Sequence, residues 1–436
     1  MNEPHLTTPL LPHQRSAARR WLLLAVMAMA LSALLAILLV LSRTPGVQEL
    51  FGLKAAFHTV LVLHVNFAVL LWLLSFGGAL WSLSLRHHAP LRDTLAYGLA
   101  LGGALLLLAS PWLNGATPVM SNYIPVLDTP LFFAGLISFA AGVSLLAAGV
   151  VIQRYTGYSD ARAGKRPALF LAAIAWFVAL TVFLYHASQF MERGERVYEQ
   201  IFWGGGHLLQ FVYLLLLFAV WQQRGVSHKL SSSQVTLWLL GTALLIGITF
   251  DPGSEVSRSA FTHLMQIGTP LLLLPALWVM VRHQARHRDV SLAASLGLMV
   301  LGLAIGVLIS SDTVTVTAHY HATNAAITVA FMGAAYGLLP RLGFSAPALR
   351  TQQWQMRLYT SGMALYVVGM ASSGWLGVPR KSAVVIENGG AQLSMAVMGL
   401  GGIISVMATL LFVGVMFSAM MRRSAMVLNK PMGEMS

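Results

Sequence analysis

Two histidines of this chain, His319 and His321, stand two residues apart in a long apolar stretch, and Asp312 precedes the first by seven positions. A histidine in the apolar part of a membrane costs free energy, so such a pair indicates a bound metal or cofactor. An α-helix turns by about 100° per residue, so side chains two positions apart point about 200° around its axis. The two imidazoles therefore face opposite sides of one helix, and each could ligate a separate haem iron.

The composition indicates which kind of helix carries these residues. Of the 436 residues, 57% are hydrophobic and 9% are charged, a balance typical of polytopic membrane proteins. A segment that crosses a membrane must satisfy its own backbone hydrogen bonds, so its apolar stretches are expected to be helical. The predicted fold is an all-α integral membrane bundle of twelve transmembrane helices, at 21–42, 55–84, 94–113, 130–153, 167–188, 200–222, 233–250, 261–281, 290–310, 314–339, 357–377 and 393–421.

These helices are expected to form one domain. No linker, low-complexity tract or convincing internal repeat interrupts residues 21–421, which are the predicted membrane domain. Residues 1–20 and 422–436 are the predicted N-terminal and C-terminal tails. The first apolar stretch is expected to be a true span, because it exceeds twenty residues and shows no small-residue cleavage site.

The positive charges predict the orientation of the bundle. Short cytoplasmic loops collect Lys and Arg. Placing the N-terminus inside assigns most of the 27 basic residues, including those at 154–166 and 282–288, to the cytoplasmic side. Both termini are therefore expected in the cytoplasm, with the bundle in a bacterial inner membrane. The formal net charge of +13 follows from this topology, and no nucleic-acid partner is expected.

The lack of cysteine narrows the possible chemistry. Without thiolates, the chain itself holds no disulfide, thiolate-ligated haem, iron–sulfur cluster or thiolate copper centre. Any sulfur-ligated centre that supplies electrons must therefore belong to a partner protein.

The histidines are unevenly placed along the chain. Half of the 14 lie in predicted tails or cytoplasmic loops, where solvation accounts for them. The others lie within about three helical turns of the predicted outer face, a grouping not expected of independent structural residues. These seven are His58, His64, His186, His207, His263, His319 and His321. For His58 and His186, a hydrogen-bonded packing role is the alternative.

The stretch DTVTVTAHYH at 312–321 resembles the tenth-helix motif of subunit I of the haem–copper oxidase superfamily, which includes cytochrome c oxidases and nitric oxide reductases. The resemblance covers nearly the whole chain and rests on four segments in the expected order. It implies that His319 is the axial ligand of a high-spin, reactive haem and that His321 ligates a low-spin, electron-transferring haem. Asp312 belongs to the same cofactor-binding motif.

Three further segments carry the resemblance. His64, in LHVNF at 63–67, is similar to the second axial ligand of the low-spin haem. His207, which follows YEQIFW at 198–203, is similar to the sixth-helix histidine that binds a second metal facing the reactive haem. The loop GVPRK ends in Arg380 and Lys381, which by resemblance hold haem propionates; two solvated cations are the alternative. Arginine binds carboxylates bidentately, whereas lysine offers a point charge.

The chain departs from the family at the reactive site. Phe211 replaces the tyrosine that follows the sixth-helix histidine by four residues, and Tyr213 points about 200° away from it around the helix. The adjacent histidines expected at the end of the seventh helix are missing from GITFDPG at 247–253. A second alignment sets His263 against one member of that pair.

Three arrangements of the site therefore stay open. A second metal could be bound by His207 with Asp251 or Glu255, helped by His263, and such an oxygen-rich set favours iron over copper(I). Alternatively, His207 is a distal hydrogen-bonding residue with no second metal, or the chain only transfers electrons. Asp251, followed by Pro-Gly, is also consistent with a simple helix-ending turn.

Proton supply also differs from that of pumping oxidases. The predicted cytoplasmic halves of the helices are rich in Leu, Ala, Gly and Met and hold no Lys, Asp or Glu of the kind that marks a proton channel. Glu192, Glu195 and Glu199 instead cluster near the outer mouth beside His207, where a solvated acidic loop is the alternative. No proton pumping is expected.

The sequence thus predicts a dihaem terminal reductase subunit. Electrons from a cytochrome c or an electron-donating subunit II would pass from the His64/His321 haem to the His319 haem, where nitric oxide or dioxygen is reduced near His207. The missing tyrosine favours nitric oxide. The expected cofactors are two haems of unspecified type, with copper or non-haem iron as the second metal. The alternative is a non-catalytic haem protein that relays electrons or senses a gas; a transporter fits the helix count but not the histidine spacing.

Overall fold

A computed structural model of the chain describes residues 10–41, 53–113, 115–155, 167–192, 197–226, 232–309, 313–380 and 388–422. All twelve predicted helices are present in these ranges, so the prediction of an all-α membrane bundle is confirmed. In chain order they are α1 (Pro12–Leu41), α2 (Leu53–Val65, Asn66–Leu71 and Trp72–Ser84), α3 (Pro90–Ala109), α4 (Pro130–Tyr155), α5 (Pro167–Glu192), α6 (Tyr198–Gln223), α7 (Ser232–Thr249), α8 (Glu255–His287), α9 (Val290–Val307), α10 (Val314–Arg341), α11 (Leu349–Trp375) and α12 (Gly389–Met421).

Ten of the described helices are long and apolar enough to cross a membrane. The other two are α7, whose apolar part Gln234–Thr249 is shorter, and α11, whose first turns are rich in Arg and Gln. Several helices extend beyond their predicted limits. The first begins at Pro12, inside the predicted tail 1–20, and α8 begins at Glu255. Hydropathy falls at charged residues, whereas backbone hydrogen bonds continue through them, so the apolar pattern underestimates helix length.

A short β-hairpin between α3 and α4 has no counterpart in the predicted elements. Its strands are β1 (Pro118–Val119) and β2 (Val126–Leu127), which pair antiparallel, with Pro118 opposite Leu127. A further backbone hydrogen bond joins Asp128 N to Thr117 O at 2.8 Å. We call residues 117–129 the strap, because its tip reaches α6.

The chain divides into two compact units. One unit contains nearly all of α2 to α8 with the first part of α1, up to Ala25, and the other contains the rest of α1 with α9 to α12. Each unit is described separately below.

In the α2–α8 unit, glycines allow neighbouring helices to approach closely. A Cβ placed on Gly103 of α3 would lie 2.5 Å from the backbone nitrogen of Phe139 on α4. Small residues at such crossings are typical of membrane helix pairs, where close backbone packing replaces the hydrophobic drive available in water. The indole nitrogen of Trp81 on α2 also donates to Leu169 O on α5 at 3.0 Å.

In the unit of α9 to α12, the start of α10 is held against the end of α11. Thr313 caps α10 and forms an isolated antiparallel bridge with Pro379, and Val314 N donates to Val378 O at 3.1 Å. A Cβ on Gly374 of α11 would overlap Thr315. These contacts fix the first turn of α10, which precedes the two histidines of the predicted haem motif.

Candidate functional site

His319 is fixed by a hydrogen bond to the neighbouring helix. Its Nδ1 lies 2.7 Å from the carbonyl oxygen of Gly302 on α9. A carbonyl only accepts, so Nδ1 carries the proton and Nε2 keeps the lone pair. A Cβ on Gly306, one turn further along α9, would lie 2.7 Å from the same Nδ1. Glycine at position 306 therefore makes the space that the imidazole occupies.

His321 is held in the same tautomer by a different partner. Its Nδ1 donates to Thr317 O, one turn earlier in α10, at 2.9 Å. Its ring lies 5.1 Å from the ring of Tyr366 on α11, centroid to centroid. His319 therefore contacts α9 and His321 contacts α11, as expected for residues about 200° apart around one helix.

Both residues have the arrangement of an iron-ligating histidine. Such a ligand usually donates its second ring N–H to a carbonyl or carboxylate, which fixes the ring and raises the basicity of the ligating nitrogen. Imidazole with Nε2 as the donor atom is a common axial ligand of haem. The environments of His319 and His321 thus fit haem.

The predicted propionate-binding loop is only partly described. Arg380 is half-buried and follows Pro379, which bridges to Thr313 at the start of α10. This contact places the backbone of Arg380 next to the helix that carries both histidines. Lys381 and Asp312 lie outside the described residues.

His64 lies on α2 immediately before a π-helical segment. It is half-buried, and the α-helix gives way to π-helix at Asn66–Leu71. The amide of Asn66 donates to Val62 O and to Pro125 O of the strap, each at 2.8 Å. Short π-helical segments often mark functional sites. His58, two turns earlier, is exposed and packs edge-on against Phe57.

His207 is buried in α6 and both of its ring nitrogens have protein partners. Nδ1 lies 2.7 Å from Trp203 O, one turn earlier, so Nδ1 donates. Nε2 lies 2.9 Å from the hydroxyl of Tyr123, and it therefore accepts the hydroxyl proton. The rings of Trp203 and Phe261 lie 4.9 and 5.9 Å from the imidazole, centroid to centroid.

Tyr123 is a site residue that the sequence pattern did not predict. It sits at the tip of the strap, and its ring lies 4.7 Å from that of His207. A Cβ on Gly206 would overlap this tyrosine ring, while Gly204 and Gly205 make room for Phe261 and Phe183. The sequence signal that could have indicated this contact is the run of three glycines before His207. Successive glycines indicate that large side chains approach the helix closely at that point.

Glu199 does not belong to a solvated loop. It is half-buried in the first turn of α6, and its two carboxylate oxygens accept from Asn122 N at 2.8 Å and from Asn122 Nδ2 at 2.5 Å. The adjacent Tyr198 donates its hydroxyl to Asp128 at 2.6 Å. These bonds attach the strap to α6. Glu192 is exposed, and Glu195 lies outside the described residues.

The residues considered for a second metal are not gathered around His207. Asp251 is exposed and accepts from Gly253 N at 3.3 Å, which matches the helix-ending turn weighed as the alternative. His263 is exposed, and its Nδ1 lies 2.8 Å from Ser259 O on its own helix. Glu255 is also exposed. Within the described ranges, no three His, Asp or Glu residues form a group able to hold a metal ion.

His186 takes a packing position. It is only 1% exposed, and its Nε2 lies 3.1 Å from Gly247 O on α7. Its ring also faces Gly204 of α6, where a Cβ would lie 2.9 Å from Cε1. This agrees with the hydrogen-bonded packing role considered from the sequence.

One protein family matches most of the chain. The family described as cytochrome C and quinol oxidase polypeptide I matches residues 16–409. An uncharacterized protein of Rickettsia prowazekii (strain Madrid E), RP382, is 27% identical over 92% of this chain and 95% of its own length. An uncharacterized protein of Aquifex aeolicus (strain VF5) is also 27% identical, over 74% of this chain and 85% of its own. The chain therefore belongs to the cytochrome c and quinol oxidase polypeptide I family, the subunit I family of the haem–copper oxidases.

Proposed function

We propose that this chain is a dihaem terminal reductase subunit that receives electrons from a cytochrome c or a partner subunit and reduces nitric oxide or dioxygen. The observation that carries the proposal is the pair His319 and His321. Each donates Nδ1–H to a backbone carbonyl, at 2.7 and 2.9 Å, which leaves Nε2 as the ligating atom. Because the two rings contact different helices, one helix can serve two haems.

Besides His319 and His321, four further positions complete the assignment, namely His64, Arg380, Lys381 and Asp312. His64 and His321 are the proposed axial ligands of the low-spin haem, and His319 is that of the high-spin haem. Arg380 and Lys381 are the proposed partners of the haem propionates, through charge-assisted hydrogen bonds. Asp312 is proposed to support the same cofactor region, since it immediately precedes the capped start of α10.

The roles of the two haems follow from their ligands. A haem with histidine on both faces exchanges electrons, whereas one with a single protein ligand also binds a gas. Neighbouring residues of the chain orient the two histidine ligands on α10. The Gly302 carbonyl and Gly306 fix the ring plane of His319, and Thr317 O fixes that of His321.

Of the two gases, we propose nitric oxide as the substrate. In its reduction, two molecules take up two electrons and two protons and yield nitrous oxide and water, so no O–O bond is cleaved. Phe211 stands where the family's oxygen-reducing members place a tyrosine, and this phenylalanine is fully buried in α6. The usual route of dioxygen reduction uses that tyrosine, and this chain has phenylalanine in its place.

The reaction is proposed to proceed without proton pumping. Asp93, at the start of α3, is a buried carboxylate that the predicted helix limits had left outside the helix. It is paired with Arg92 at 2.7 Å. The ion pair makes this carboxylate a structural group at the start of the helix. Apart from Pro90, Thr94 and Tyr97, the rest of α3 is Leu, Ala and Gly.

The proposal is tested by turnover with reduced cytochrome c as electron donor. Purified protein should consume nitric oxide and release one nitrous oxide for every two molecules consumed. Oxygen consumption without nitrous oxide formation would reverse the order of the two substrates. If neither gas were consumed by protein that holds both haems, a reductase would be excluded.

A second function is favoured by the surroundings of His207. Both ring nitrogens are engaged by Trp203 and Tyr123, and the described residues hold no metal-binding group. These features suit a haem protein that relays electrons or senses a gas. In that case a His207→Ala variant keeps both haem spectra and its electron-transfer rate, whereas the same change in a reductase lowers turnover.

A further inference from the structure

We propose that a hydrogen-bonded Tyr123–His207 pair stands in this chain where its family holds a second metal. In this arrangement Tyr123 is a positioning residue, and His207 is hydrogen-bonded at both ring nitrogens rather than a metal ligand. The inference rests on the proposed function, because the family's counterpart of His207 binds the second metal that faces the reactive haem. It deepens that proposal by naming which groups replace the metal.

Both imidazole nitrogens of His207 have hydrogen-bond partners within the protein. A histidine binds a metal through the lone pair of a ring nitrogen. In His207, Nδ1–H is donated to Trp203 O at 2.7 Å, and the Nε2 lone pair accepts the Tyr123 hydroxyl at 2.9 Å. Metal binding through Nε2 would require the bond to Tyr123 to break, and it would leave the tyrosine hydroxyl without this partner, which is unfavourable.

Among the residues that the structure describes, no further metal ligands gather with His207. A metal held by His207 would need additional donors, and Asp251, Glu255 and His263 are all exposed. Asp251 accepts from Gly253 N within a local turn, and Nδ1 of His263 lies 2.8 Å from Ser259 O of its own helix. Within the described ranges no third His, Asp or Glu completes a set. Aromatic rings, those of Trp203 and Phe261, lie beside the imidazole instead.

The surface of α6 beside His207 leaves space for the Tyr123 ring. Gly206, next to His207, carries no Cβ, and any Cβ there would overlap Cγ of Tyr123. The ring of Trp203 packs edge-on against Tyr123 at 5.7 Å. Trp203 is itself held by Arg258, whose guanidinium lies 4.5 Å above the indole and whose carbonyl accepts from its Nε1 at 3.2 Å.

The strap holds the tyrosine from both sides. Asn122, the preceding residue, is bound by both carboxylate oxygens of Glu199. Pro125, two residues after Tyr123, accepts from Asn66 of α2 at 2.8 Å. The Asp128 carboxylate accepts from Tyr198 at 2.6 Å. With these ties in place, the hydroxyl is preorganised against His207 and loses little conformational freedom on bonding.

Metal analysis of the haem-loaded, full-length protein tests the first half of the proposal. Wild-type protein should hold no stoichiometric copper, zinc or non-haem iron, before or after incubation with each metal salt and desalting. The His207→Ala variant should give the same values. One equivalent of any of these metals in wild type that His207→Ala loses would overturn the proposal, while the haem content would still support the proposed function.

Carbon monoxide bound to the reduced haem tests the positioning role. Tyr123→Phe keeps the ring and removes the hydroxyl, so the C–O stretching band should shift or split as His207 loses its partner. Gly206→Ala should reproduce that change by displacing the ring. Two variants are the matched controls. Tyr213→Phe removes the hydroxyl of a different tyrosine, which is buried on α6. Gly241→Ala adds a Cβ that would meet open space. An unaltered band in Tyr123→Phe would overturn the positioning role. Protein without haem would instead contradict the proposed function.

Discussion

The phenolic oxygen of Tyr123 lies 2.9 Å from Nε2 of His207, although 84 residues separate the two in the chain. The bond joins the strap between α3 and α4 to the middle of α6. The tautomer of His207 is fixed by its other bond, in which Nδ1 donates to Trp203 O, so Nε2 accepts the Tyr123 hydroxyl proton. A residue that could have offered a lone pair to a metal therefore accepts a hydrogen bond from a tyrosine.

Gly206→Ala should destabilise the protein, because the added methyl group would overlap the Tyr123 ring. Overpacking of this kind costs about 1 to 3 kcal/mol, and the midpoint of thermal unfolding in detergent should fall accordingly. Gly241→Ala is the control, since its Cβ would meet no atom within 4 Å. Equal unfolding midpoints in the two variants would show that the strap is not packed on α6 as described.

Glu199→Gln should loosen the strap. The carboxylate accepts two hydrogen bonds from Asn122, whereas a glutamine offers one oxygen and turns an NH₂ group toward a donor. We expect a loss of about 1 kcal/mol in unfolding free energy and faster proteolytic cleavage within residues 117–129. Glu192→Gln, at an exposed position, should change neither value. If both variants behaved alike, Glu199 would be a solvated charge.

Gly306→Ala should weaken one haem selectively. Its Cβ would lie 2.7 Å from Nδ1 of His319, so the ring must turn away from the Gly302 carbonyl. Loss of such an orienting contact typically weakens metal affinity by about 10- to 100-fold. The carbon monoxide-binding haem should therefore be lost on dilution while the low-spin spectrum persists. Gly297→Ala, on the same helix with open space around it, should retain both haems, and a loss in that variant would assign the effect to α9 in general.

His319→Ala and His321→Ala should have different spectra, because the two rings contact different helices. The first should remove carbon monoxide binding and leave the low-spin haem. The second should remove the low-spin bands and leave a haem that binds carbon monoxide. Absorption and magnetic circular dichroism spectra distinguish the two results. Identical spectra in the two variants would mean that these histidines do not serve separate haems.

Much of the fold could be predicted from hydropathy and histidine spacing. The twelve helices follow from apolar stretches that must satisfy their own backbone hydrogen bonds. The opposite directions of His319 and His321 follow from the helical repeat. Helix ends were less predictable, because α1 and α8 continue through charged residues that end the apolar pattern.

The surroundings of His207 could not be predicted in the same way. Tyr123 lies in a polar segment with no helical period, and its contact with α6 depends on how α3 and α4 are connected. The sequence pattern suggests that Glu199 is one of three acidic loop residues, whereas its carboxylate accepts hydrogen bonds from Asn122 of the strap. Such long-range polar contacts leave little periodic signal, although the three glycines at 204–206 mark the place where α6 is closely approached.

Haem stoichiometry, measured together with carbon monoxide binding in the same detergent-purified sample, tests directly whether this chain holds two haems with different ligation. We expect two haems per chain, of which one binds carbon monoxide after reduction and the other stays low-spin. Protein without haem, or with two haems that both bind carbon monoxide, would contradict the assignment of His64, His319 and His321.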